Sequence, residues 1–176
     1  MEIIATDIDT NRLYEDMSVL LGANNFWDER QISLTSVTGE NDWTCSIGSA
    51  LQLSKPERMY SQINKDLEGT YIAELITKYN NYYRWRLLHI PPGQCYTIHT
   101  DAYSERVNKR LHIPVETNDD SYFCYYGDKP ANGLETTVKF HHMALGNAYE
   151  VNTSQLHSAI NWGTTSRFHI VGVRYE

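Results

Sequence analysis

A mainly β fold with flanking helices is predicted for this chain, and three observations predict it. From residue 82 onward, short runs rich in β-branched and aromatic residues follow one another, at 82–90, 94–100, 110–115, 121–126, 135–141, 147–151, 155–161 and 166–175. Turn formers separate them: Pro91-Pro92-Gly93, Asn118-Asp119-Asp120, Gly127-Asp128-Lys129-Pro130 and Gly163-Thr164. Before residue 82 the apolar residues fall at helical spacing instead. About eight short strands match the count of a jelly roll, the cupin-like double-stranded β-helix, with helices packed against one sheet.

Taken in order, Leu13, Met17, Leu20 and Leu21 form a helical stripe, with Asp9 or Thr10 as its cap and Gly22 as its stop. Ile32-Ser33-Leu34-Thr35-Ser36-Val37 alternates as a half-buried strand. Ser54-Lys55-Pro56-Glu57 has capping-box spacing with an early proline, so a helix is expected to begin there. Ile72, Leu75, Ile76 and Tyr79 make a second helical stripe. With 176 residues the chain suits a single domain. Residues 1–81 are expected to be a helical flank with supporting strands, and 82–176 the β-helix core that carries the chemistry.

Composition narrows the function. A net charge of -7 argues against a general binder of nucleic-acid backbones, so no nucleic-acid partner is expected. No apolar run has membrane-spanning length, and the first residues show neither a basic nor a long apolar signal segment. Cys45, Cys95 and Cys124 are odd in number and form no Cys-x-x-Cys, so a disulfide scaffold is not expected and a reducing cytoplasm fits.

The chemistry is carried by His99-Thr100-Asp101, His157 and Arg167. On a strand, His-x-Asp puts an imidazole and a carboxylate on the same face. A second histidine from another strand completes a set of two histidines and one carboxylate. Such a set holds one face of an Fe(II) ion and leaves the opposite positions for O2 and a co-substrate. Arg167 lies ten residues after His157, next to the apolar alternation of Phe168 and Ile170. Its planar fork suits the far carboxylate of 2-oxoglutarate, and an unpaired arginine would be expensive to bury there. Taken singly, each of these residues reads equally well as a strand end, a turn or a surface salt bridge; their conjunction is what points to a metal site.

The segments "IHTD", "RLHIPVETN" and "YEVNTSQLHSAINWGTTSRFHIVGVR" resemble the aspartyl/asparaginyl β-hydroxylase family of 2-oxoglutarate oxygenases, and also the related bacterial proline hydroxylases. The likeness covers residues 84–174, about half the sequence; the N-terminal half shows none. It implies His99, Asp101 and His157 as iron ligands, and Arg167 on the distal carboxylate of 2-oxoglutarate. It implies that Arg110, from the Arg-x-His-x-Pro motif, contacts the metal-side carboxylate or its surroundings, with His112 assisting. Both could equally form the solvent-facing polar side of a strand. Animal members of that family lack the carboxylate ligand. Asp101 instead follows the proline-hydroxylase branch, which speaks against halogenation, where a small residue makes room for halide.

The implied activity is that of an Fe(II)- and 2-oxoglutarate-dependent dioxygenase. It would hydroxylate a small-molecule amino acid or an exposed aspartyl, asparaginyl or prolyl residue of a peptide, releasing succinate and CO2. The alternative is a non-redox, cupin-like metal-binding or sensor protein, which would have no need of Arg167. Of the other residues, His89, His169 and the pair His141-His142 are read as core or supporting groups. The run Tyr82-Tyr83-Arg84-Trp85-Arg86 is read as core aromatics with exposed arginines, and Trp162 as a candidate to shape the substrate pocket.

Overall fold

In the computed structural model, residues 1–101, 108–127 and 137–175 are described. Helix α1 covers Thr10–Asn24 and α2 covers Tyr71–Lys78. The strands are β1 Glu2–Ala5, β2 Gln31–Ser33, β3 Thr35–Ser36, β4 Gln62–Ile63, β5 Tyr83–Ile90, β6 Gln94–Cys95, β7 Asn108–Glu116, β8 Ser121–Tyr126, β9 Val138–His142, β10 Ala148–Asn152, β11 His157–Asn161 and β12 Arg167–Tyr175. Each of the eight β runs expected after residue 82 contains one strand. Residues 135 and 136 of the fifth run, and Asp128-Lys129-Pro130 of one turn, lie outside the described residues.

Six strands form one antiparallel sheet in the order β1-β10-β7-β12-β5-β2. Four form a second, in the order β6-β11-β8-β9. From β5 to β12 the strands alternate between the two sheets except at the β8–β9 hairpin. This winding of two facing four-stranded layers is a double-stranded β-helix, the cupin-like jelly roll. The N-terminal strands β1 and β2 extend the larger sheet at its two edges.

Strand alternation sorts β7 into two faces. Leu111, Ile113 and Val115 point outward into a core shared with Leu13, Met17, Leu21, Ile72, Leu75 and Ile76 of the helices. Arg110 and His112 point the other way, between the sheets. Asp9 caps α1 by accepting from the amides of Asn11 and Arg12 at 3.1 Å. The Asp16 carboxylate joins the helices by accepting from the amide of Ile72 at 3.0 Å.

Three local expectations are corrected. Gly22 does not stop α1; the helix runs on to Asn24 and ends at Asn25, whose φ of 55° is the left-handed conformation asparagine tolerates. The 32–37 strand is broken at Leu34 into β2 and β3, because β2 pairs with β5 while β3 pairs with β4. The helix expected at Ser54 is a single 3-10 turn, Glu57–Met59. There the Glu57 carboxylate is turned inward to meet the Arg84 guanidinium, a long-range pairing that outweighs the local capping pattern.

Candidate metal site

Between the sheets lies a cavity of about 400 Å3, with His99, Asp101 and His157 on its wall. His157 opens β11, and His99 is bridged to it through reciprocal backbone hydrogen bonds of 3.0 and 2.9 Å. The Asp101 amide donates to the Thr153 carbonyl at 2.8 Å. Three residues from two segments are thus fixed by backbone pairing, and their potential ligand atoms lie within 4.8 Å of one another. His99 Nε2 is 3.6 Å from Asp101 Oδ1, and His157 Nε2 is 3.8 Å from Asp101 Oδ2.

The protonation pattern suits a cation. Nδ1 of His99 is 2.7 Å from the Thr97 carbonyl, and Nδ1 of His157 is 2.8 Å from the Gln155 carbonyl. A carbonyl only accepts, so each Nδ1 carries a proton and Nε2 is the ring nitrogen each histidine turns toward Asp101. Burial lowers His157 to about 4, which keeps that imidazole neutral at physiological pH. Burial pushes Asp101 up, but Arg110 and the two imidazoles outweigh it and bring the carboxyl to about 2. Two imidazoles and a carboxylate are the donor set an Fe(II) ion takes, and the Nδ1–H to carbonyl bonds orient the rings for it.

Arg167, the first residue of β12, is fully buried. Its one protein hydrogen-bond partner among the described residues is His169 Nδ1, at 3.2 Å, and no carboxylate among them faces it. Burial lowers its pKa to about 10, still charged at neutral pH. A buried cation with no anion costs on the order of several kcal/mol unless a ligand supplies the charge. His112 is buried too, and neither ring nitrogen has a partner among the described residues. Burial, then Arg167 and Arg110, push it well below its ordinary value, so it faces the cavity neutral, with one donor and one acceptor free.

All six residues singled out from the sequence therefore line one cavity. Arg110 meets the cluster directly: its Nε donates to Asp101 Oδ2 at 2.6 Å. The solvent-facing alternative for Arg110 and His112 does not hold, since both lie between the sheets.

Sequence reading missed Arg84 and Arg86. They were expected to be exposed; they are 0% and 3% exposed and line the cavity. The signal available was parity: Arg86, Leu88 and Ile90 alternate with Trp85, Leu87 and His89, so one face of β5 had to take the arginine inside. Trp162 does not line the cavity. It is 59% exposed, packing against Tyr122 and Phe140.

No protein-family model and no curated protein matches this sequence. Among solved structures it is similar to AviO1 from Streptomyces viridochromogenes Tue57, at 10% identity over 98% of this chain and 87% of that one, with a TM-score of 0.56. It is also similar to ThoJ, a non-heme monooxygenase solved as a nickel complex, at 10% identity over 99% of this chain and 72% of that one, with a TM-score of 0.50. At such identity the likeness is one of fold. The motif resemblance to aspartyl/asparaginyl β-hydroxylases stands without a family match beside it. No helix among the described residues is long and apolar enough to cross a membrane. The protein has a cupin-like double-stranded β-helix fold, with a His-Asp-His cluster and a buried arginine in the same cavity that faces no carboxylate among the described residues.

Proposed function

We propose that this protein is an Fe(II)- and 2-oxoglutarate-dependent dioxygenase that hydroxylates an amino acid, free or within a peptide. The observation that carries the reading is Arg167, a buried guanidinium without a carboxylate partner among the described residues, in the cavity that also holds His99, Asp101 and His157. A metal-storing or sensing cupin has no use for that charge. One of the similar folds, ThoJ, is named a non-heme monooxygenase, which agrees with non-heme oxygenase chemistry.

His99, Asp101 and His157 would hold Fe(II), and Arg167 would hold the far carboxylate of 2-oxoglutarate. When bound, the iron and co-substrate supply the O2-dependent decarboxylation that converts a C–H bond to C–OH. The protein's own residues do the positioning. The Thr97 and Gln155 carbonyls orient the imidazoles, and Arg110 orients the Asp101 carboxylate. Arg167 presents two parallel N–H donors to an incoming carboxylate. Neutral His112 can donate one hydrogen bond to a ligand oxygen beside the metal. Phe123 stacks on the His157 ring, with centroids 5.3 Å apart, and keeps water from that side.

The test is anaerobic titration with Fe(II) and 2-oxoglutarate, monitored by the weak visible charge-transfer absorption of the chelate. The expected result is a band in the wild-type protein that disappears in Asp101→Ala. Metal binding without that band would instead favour a non-redox cupin.

A further inference from the structure

The cavity has a second cationic wall that this reading leaves unused. Arg86 projects from β5 and is fully buried. One of its terminal nitrogens donates to Gln31 Oε1 at 3.0 Å, and its Nε has no partner among the described residues. Gln31 Oε1 also accepts from the Gly48 amide at 2.9 Å, so the oxygen of that side chain is occupied and its NH2 group remains to donate. Gln31, Gly48 and Arg86 all line the cavity.

Charge in the cavity is unbalanced. Arg84 pairs with Glu57, and also donates to the Ser46 and Gly48 carbonyls at 2.8 and 2.7 Å. Arg110 pairs with Asp101. Arg86 and Arg167 have no carboxylate partner among the described residues. One ligand cannot easily serve both. Arg86 lies opposite Val171 on β12, and Arg167 lies opposite Ile90 on β5. The two are therefore rooted four residues apart along the sheet, about 13 Å. A five-carbon dicarboxylate held at Arg167 and turned toward the metal leaves Arg86 unanswered. Arg86 is buried first of all, and beside Arg84 and Arg110, whose charges are answered by Glu57 and Asp101 while its own is not answered among the described residues. An anion brought from outside relieves this.

We infer that Arg86 and the Gln31 amide form a carboxylate subsite for the primary substrate, so the substrate is a free α-amino acid or the last residue of a peptide rather than an internal residue of a polypeptide. This rests on the dioxygenase reading above and narrows its substrate class. Arg86 supplies two N–H donors in a fork, and Gln31 Nε2 supplies a third. A substrate anchored there points its remaining atoms toward the His-Asp-His cluster in the same cavity. An internal residue presents an uncharged amide carbonyl, so without an acidic side group it would leave Arg86 uncompensated.

The test uses the full-length protein loaded with Zn(II), a redox-silent stand-in for iron, and 2-oxoglutarate. Three pools are probed by saturation-transfer NMR: free L-amino acids, their N-acetyl derivatives, which mimic the last residue of a peptide, and their carboxamides. Binding is expected from the free acids or the N-acetyl acids, and which of these two binds identifies the source of the carboxylate. The carboxamides, prepared only from residues without acidic side groups, are expected to be silent. Arg86→Met should weaken the bound acid about tenfold to a hundredfold, as loss of a charge-assisted bond does. Gln31→Leu, at the half-buried edge of β2, should weaken it less and guards against a folding defect in the first variant. Calorimetry should show 2-oxoglutarate binding kept within about threefold in Arg86→Met and lost in Arg167→Met. Carboxamides binding as well as acids, no binding from any pool, or Arg86→Met losing 2-oxoglutarate as Arg167→Met does, would each overturn the subsite. Failure of wild-type protein to bind 2-oxoglutarate at all would instead sink the dioxygenase reading.

Discussion

Arg110 Nε donates to Asp101 Oδ2 at 2.6 Å, while Oδ1 of the same carboxylate faces His99 Nε2 at 3.6 Å. One guanidinium thus fixes the orientation of the carboxylate between the two imidazoles. Arg110→Met removes that orientation and leaves Asp101 buried beside the histidines alone. Metal affinity is expected to fall about 10- to 100-fold, as for other outer partners of a ligand. Competition titration with a chromophoric chelator measures it; unchanged affinity would show that Asp101 is held by its backbone alone.

The same pair makes the metal-free protein acid-sensitive. Asp101 titrates at about 2, below its ordinary 3.8, so the native state binds fewer protons than the unfolded polypeptide. Its stabilising contribution is present above the ordinary value and is lost as pH falls through the folded one. The magnitude is on the order of 2 kcal/mol, lost between about pH 4 and pH 2. Urea midpoints measured across that window should slope downward, and Asp101→Asn should flatten the slope.

Arg167→Met separates a ligand-binding arginine from a structural one. The 2-oxoglutarate requirement is expected to rise about tenfold to a hundredfold, the loss of a charge-assisted carboxylate contact. The metal-free protein is expected to melt no lower than wild type, because an uncompensated buried charge has been replaced by an apolar side group of similar length. A large drop in melting temperature with co-substrate affinity intact would assign Arg167 to the fold.

His157→Ala deletes one of the three donors and also vacates the ring on which Phe123 stacks. Stoichiometric metal binding and turnover are both expected to disappear. Metal analysis after dialysis, with turnover followed as succinate release, checks this; retained turnover would remove His157 from the site.

Gly172 is required by packing rather than chemistry. A Cβ there would sit 2.9 Å from the Trp85 ring, which is buried and cannot retreat. Gly172→Ala is expected to destabilise by about 1–3 kcal/mol through overpacking. In Gly172→Ala/Trp85→Leu the two effects should be non-additive, since the smaller side group makes room. Denaturant unfolding of the three variants gives the coupling.

The strands of the β-helix were legible because their signals are local. Period-two alternation with turn formers at the ends marks β5 and β7 through β12 in sequence order, and the spacing of Leu13, Met17 and Leu21 marks α1 by the same means. The candidate site was legible because His99 and Asp101 share one short motif and His157 and Arg167 another. The 3-10 turn at Glu57 and the break at Leu34 were not legible: each is decided by a partner far away, Arg84 in one case and β4 in the other.

By itself, then, the sequence determined which residue types could carry the chemistry and which segments could be strands, because periodicity and motif spacing survive without contacts. Only the tertiary structure decided that Arg84 and Arg86 lie inside while Trp162 lies outside, that Arg110 grips Asp101, and that Arg167 and Arg86 face no carboxylate among the described residues. Those are properties of burial and of pairing between strands, and a guanidinium's partner is set by whatever the fold brings opposite it.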